Sequence, residues 1–458
     1  MLWLTALVTL ALAAAVHVLG SRKAVALADG NFASLHSRPS YHGLYCALWT
    51  LIAGLGALLV AALVSRGLVD AALLSIIDER APDMREIERQ LALRDAYAIA
   101  RGGVASSDDA LRQALGEAAS RYGAIRLVVV IGLTLAAAAL AAALTFVRLT
   151  RDWRARNRAE SIIERLLWVS ATIAVLTTVG IVLSLIGETL VFFDRIDWQI
   201  HKYLFGTTWS PLSGVFEGKM DADKVGAVPL FLGTFMITVI AMLVAVPIGL
   251  FSAIYLSDFA HRNVRSWAKP LLEILAGIPT VVYGFFAAIT VAPFIRDAGE
   301  AIGLDVASES ALAAGVVMGI MIIPFVSSLS DDVINAVPQS LRDGSYAVGA
   351  TKGETIRQVV LPAALPGIVS AVLLGVSRAV GETMIVVMAA GQGANLTVNP
   401  LEAVTTVTVQ IVALITGDTE ADTAAGPAFT LGFTLFVVTL ALNVLALRTV
   451  RKYRELYD

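Results

Sequence analysis

Nine stretches of this chain are apolar over lengths near or above the roughly 18 residues needed to cross a bilayer. They lie at about 2–19, 43–65, 124–147, 166–194, 229–256, 267–296, 311–330, 363–391 and 427–448. Inside a bilayer each backbone polar group must find its partner within its own segment, so runs of this length form helices. The chain of 458 residues is 57% hydrophobic and 16% charged, against roughly 25% charged in ordinary soluble domains. The fold class that follows is an all-α polytopic membrane protein with about nine transmembrane helices. The first run lacks a basic stretch before it, and its basic pair, Arg22 and Lys23, comes after it. That order fits an uncleaved anchor and not a signal peptide. The one cysteine, Cys46, excludes an intrachain disulfide and a paired-cysteine metal site.

Basic residues in the short loops set the orientation. Residues 148–165, RLTRDWRARNRAESIIER, hold six arginines and are therefore expected inside. Alternation then puts 20–42, 257–270, 331–360 and the tail inside as well, with the N-terminus outside. The expected outer loops 195–228, 297–310 and 392–426 carry only Arg195, Lys202, Lys219 and Lys224. Residues 67–123 fall outside despite seven arginines, which ten acids offset. The middle of that insert, MREIERQLALRDAYAIARG, reads as an amphipathic helix ended by Gly102-Gly103.

Two parts emerge. Residues 1–165 form an N-terminal extension of three spans, with the outer helical insert at 67–123. Residues 166–228 contribute a linking span and an outer loop. Residues 229–448 form a core of spans broken by Pro and Gly, and 449–458 form a tail. No P-loop, Cys/His metal spacing or basic-aromatic nucleic-acid surface is present, and no serine has a convergent His and Asp. The chain therefore carries no catalytic machinery and no nucleotide site of its own.

Within the core, the loop 335–362 is too polar to cross a membrane and too patterned to be slack. Thr351-Lys352-Gly353-Glu354 is a capping box that starts a helix, KGETIRQVV, expected to stop before Pro362. LRDGSYAVGA reads as an earlier short helix, and Gly349 permits a sharp bend between the two. Tyr346, Ala347, Val348 and Ala350 give that first helix an apolar knob, a shape suited to a groove in another protein. Lys269 and Glu273 are spaced for a local salt bridge.

Span eight carries the charged pair Arg378 and Glu382, spaced for one face of a helix. Arg378 lies about 24 Å along that helix from Pro362. Ionisable groups at such depth cost roughly 2.5–3.5 kcal/mol, and they face a partner or a water-filled path. A guanidinium suits an oxyanion because its planar fork offers two charge-assisted donors. The competing reading is an ion pair that locks span eight to a neighbour.

The loop resembles the cytoplasmic EAA loop of ATP-binding-cassette importer permeases, in the placing of Gly349 and of Leu361-Pro362 twelve residues on. Asp343-Gly344-Ser345 stand where that family usually has Glu-Ala-Ala. EILAGIPTVVYGFF from Glu273, FGTTWSP from Phe205 and GVSRAVGETMIVVMAAG from Gly375 together look like the phosphate-specific permeases of the PstC family. The resemblance implies a type-1 permease core. It assigns Asp343, Gly344, Ser345, Tyr346, Ala347, Gly349, Ala350, Leu361 and Pro362 to contact with an ATPase, and Arg378 and Glu382 to the substrate path. It further implies a PstA-like second permease subunit, a PstB-like ATPase dimer that binds the ATP, and a periplasmic PstS-like phosphate-binding protein, all at a bacterial inner membrane. Other oxyanions, another small polar solute, or an ion-coupled secondary transporter are the alternatives.

Overall fold

A computed structural model describes residues 2–29, 31–32, 35–103, 110–213, 220–417 and 421–454. Lys219 and the end of the tail, 455–458, lie outside the described residues. Among those described, nine helices are long and apolar enough to cross a membrane. The chain divides into two compact units, Met1–Leu176 and Thr177–Asp458.

The first unit is built on α1 (Leu2–Ala28), α2 (Pro39–Arg80) and α4 (Ala110–Val147), with the opening half of α5 (Ala155–Arg195). Small residues let α1 and α2 meet closely: a Cβ on Gly43 would sit 2.2 Å from the His17 carbonyl. Both α2, with 42 residues, and α4, with 38, run well past the roughly 20 residues that a bilayer needs. Their overhanging ends pack with α3 (Glu86–Ala100) around buried Leu73, Ile77, Ala92, Ala96 and Leu115. The 67–123 insert is thus continuous with the spanning helices and has its own small core. Tyr97 of α3 donates a hydrogen bond to the Asp70 carboxylate on α2. Arg112 of α4 pairs with the buried Asp95 of α3 at 2.8 Å.

The second unit is centred on α10 (Ala311–Ala336), 61% of whose apolar window is buried. It packs against α7 (Val228–Phe259) through small residues, and a Cβ on Gly319 would come within 2.8 Å of the Ala241 carbonyl. Around this pair stand α8 (Arg262–Ala276), α9 (Thr280–Ala301) and α12 (Lys352–Val380), and α15 (Ala421–Arg454) packs on α12. Buried threonines satisfy themselves by bonding back to the carbonyl four residues earlier, as Thr234 and Thr238 do at 2.7 Å.

Three expected boundaries shift. The run at 267–296 is not one span. Gly277-Ile278-Pro279 ends α8, and the membrane-length helix begins at Thr280. The helix from Lys352 does not stop before Pro362 but continues to Val380. A π turn at Ile356–Val360 absorbs the proline: the Leu361 N–H bonds five residues back to Ile356, so the chain passes the missing donor without breaking. The same device precedes Pro293, with a π turn at Ala287–Val291. Finally, the run at 363–391 breaks at Gly381–Thr383, after which a separate short helix, α13 (Met384–Ala389), begins.

Candidate functional site

The loop between α10 and α12 folds into α11 (Gln339–Ala347), then a bend, then the start of α12. Gly349 takes φ +87°, a left-handed conformation that side-chain-bearing residues avoid. Thr351 and Glu354 form the capping box: the Thr351 N–H donates to Glu354 at 2.8 Å and the Glu354 N–H to Thr351 Oγ1 at 3.4 Å. Ser345 Oγ and Thr355 Oγ1, 2.9 Å apart, tie the two arms together. Val348 is 85% exposed and Tyr346 42%, so the knob is bare in this chain. Asp343, Gly344 and Gly349 are also exposed, Ala350, Leu361 and Pro362 partly so.

The sequence reading missed what anchors this loop. Arg342 is buried beneath α11 and donates to the Asp258 carboxylate at the end of α7 and to the Ile334 carbonyl at 2.8 Å. Lys352 lies 5.2 Å from the centre of the Phe259 ring. Alongside, the buried Asp331 of α10 accepts from Lys269 at 3.0 Å and Arg265 at 3.3 Å, both on α8, and from Asn335 at 2.8 Å. The expected Lys269–Glu273 pair does not form. Lys269 turns to Asp331 instead, and that hydrogen bond raises the ammonium pKa above its ordinary value. The signal was present in the two adjacent acids Asp331 and Asp332 at the end of a helical apolar run, which need cations from elsewhere in the chain.

Arg378 and Glu382 do not share a helix face. Arg378 sits in the last turn of α12, and Gly381 ends that helix. Arg378 is exposed in this chain, with its guanidinium 5.9 Å from the Phe325 ring centre and Nη2 4.0 Å from Met321 Sδ. Among the described residues no carboxylate pairs with it. Glu382 turns the other way and caps α13, accepting from the Met384 N–H at 3.1 Å and the Ile385 N–H at 3.4 Å. Its carbonyl accepts from Thr408 Oγ1 at 2.8 Å. Thr408 belongs to α14 (Val407–Thr416), the apolar piece too short to span. Trp209 of the FGTTWSP stretch bonds to Gln410 of the same helix at 3.1 Å. The break at Gly381–Thr383 therefore lies between the membrane-length α12 and the short α13, tied to α14 and beside an unpaired guanidinium.

Residues 6–177 match the family described as phosphate ATP-binding cassette transporter, and residues 245–455 match the binding-protein-dependent transport system inner membrane component. The probable ABC transporter permease protein YqgH of Bacillus subtilis is 33% identical over 56% of this chain and 78% of its own length. The phosphate transport system permease protein PstC of Xylella fastidiosa is 33% identical over 54% of this chain and 77% of its own. For PstC 1 of Mycobacterium tuberculosis the values are 30%, 62% and 92%. This chain belongs to the PstC family of ABC transporter permeases. As a member of that family it is a multi-pass inner-membrane permease subunit, and ATP hydrolysis belongs to separate ATPase subunits. The second match also covers the loop at 335–362 and the helix break at 381–383, so the coupling and substrate-path candidates both fall within the permease core.

Proposed function

We propose that this chain is the permease subunit of an ATP-driven importer that moves inorganic phosphate across the inner membrane by alternating access. A binding protein of the PstS kind presents phosphate outside, and a PstA-like subunit supplies the other half of the path. A PstB-like ATPase dimer binds ATP and engages α11 and the Gly349 bend. The N-terminus lies outside and the tail inside.

The observation that carries the reading is the unpaired guanidinium of Arg378 beside a broken helix, within the core whose cytoplasmic loop offers a bare apolar knob. A phosphate passing this point meets charge-assisted donors that no carboxylate among the described residues occupies. Glu382 holds the break open by capping α13, and it presents negative charge toward that helix end and not toward Arg378.

The test is phosphate uptake by proteoliposomes holding this chain with its co-purified partners. Uptake should require ATP and the binding protein, and sulfate and molybdate should compete weakly. Uptake without ATP would replace the reading with a secondary transporter. Stronger transport of another oxyanion would correct the substrate.

A further inference from the structure

We infer that the first unit carries a preformed site for the headgroup of an anionic phospholipid, on the two loops that join α1 to α2 and α4 to α5. Residues 35–38 of the first loop and 148–154 of the second are held together as one surface. The His36 N–H donates to the Arg151 carbonyl at 3.2 Å, and the Arg156 N–H donates to Ser37 Oγ at 3.2 Å. Aromatic side chains brace the surface from below: Arg158 stacks 3.8 Å from the Trp153 ring centre, and Trp153 meets Tyr45 edge-on at 5.7 Å.

The surface is cationic, and its charge is not spent internally. Arg38, Arg148, Arg151 and Arg154 are all exposed, and among the described residues none of them pairs with a carboxylate. Arg156 does, with Glu160 at 2.7 Å. Asp29 and Asp152 are the only acids on the two loops. Loops this short sit where the helices leave their apolar stretches, which is the level of lipid headgroups.

Beside the arginines, apolar side chains stand bare. Val147 is 77% exposed, Phe32 59% and Leu144 51%. Cations next to exposed apolar surface match an amphipathic ligand: guanidiniums take the phosphodiester and the apolar flank takes the acyl chain. An acidic soluble protein would use the charges and leave Val147 and Leu144 uncovered.

The experiment uses the full chain, purified in detergent and examined by native mass spectrometry after adding cardiolipin, phosphatidylglycerol or phosphatidylcholine. The wild type should retain the two anionic lipids and release phosphatidylcholine. A basic residue near an anionic surface contributes about fivefold in affinity, so the triple variant Arg38→Gln, Arg151→Gln, Arg154→Gln should lose roughly 100-fold. The corresponding triple Lys variant keeps the charge and should keep the lipid. Should the Gln triple fail to fold, Arg154→Gln alone, with an expected loss of about fivefold, carries the test. Equal retention by wild type and Gln variant, or of phosphatidylcholine and cardiolipin, overturns the site. Release of the lipid by inorganic phosphate at matched ionic strength would reassign it to free phosphate.

Discussion

Arg378 and Glu382 show how far residue spacing reaches. Four residues apart, they suit one helix face, yet Gly381 ends the helix between them and sends the two side chains to different partners. This changes what mutation should do. Arg378→Gln should leave assembly intact and lower phosphate uptake by about ten- to 100-fold, the loss expected for charge-assisted hydrogen bonds of 1.5–3 kcal/mol. Arg378→Lys keeps the charge without the fork and should retain an intermediate rate. Glu382→Ala should act separately, through the lost cap on α13, by about 1 kcal/mol. In the double variant the two effects should add, as measured by uptake and complex yield. Wild-type uptake in the double neutral variant would instead reveal a locking ion pair and remove Arg378 from the substrate path.

At the scale of elements, the coupling loop rests on one bend and one buried pair. Gly349→Ala puts a Cβ into a left-handed conformation, at about 1–2 kcal/mol, while leaving open space around it. It should weaken ATPase association in a pull-down, and Gly349→Asn should do so less. Arg342→Ala leaves the Asp258 carboxylate buried and alone, at about 3–5 kcal/mol, so the variant should lose yield and thermal stability. Exchanging the two residues should recover part of both; no recovery would show that the Ile334 contact dominates. In the outer extension, burial and then the Asp70 hydrogen bond push the Tyr97 phenol up to about 12. An unfolded tyrosine ionises near 10. The stabilisation from Tyr97 is therefore full below about pH 10 and is lost as pH rises through about 12. Tyrosinate absorbance should show the same number of tyrosines ionising near pH 10 in the wild type and in Tyr97→Phe, although the wild type holds one tyrosine more.

For the whole molecule, sidedness is the prediction that binds the rest. After Cys46→Ala, a cysteine at the exposed Asn157 should react only with reagents that enter the cell, and one at the exposed Ser213 with reagents that do not. Reversed labelling would turn the coupling loop outward and end the importer reading. The helical class, the nine apolar runs, the capping box and the Gly349 bend could be read in the sequence, because a bilayer imposes length and a cap or turn is set by neighbours in the chain. The fate of each proline could not. Pro362 and Pro279 look alike in sequence, yet one is absorbed by a π turn and the other ends a run, since the outcome depends on what packs against the helix there. Partners of buried charge were equally out of reach. Asp258 finds Arg342 across 84 residues and Asp331 finds Lys269 across 62, and only the packing of α7, α8, α10 and α11 brings those groups within bonding distance.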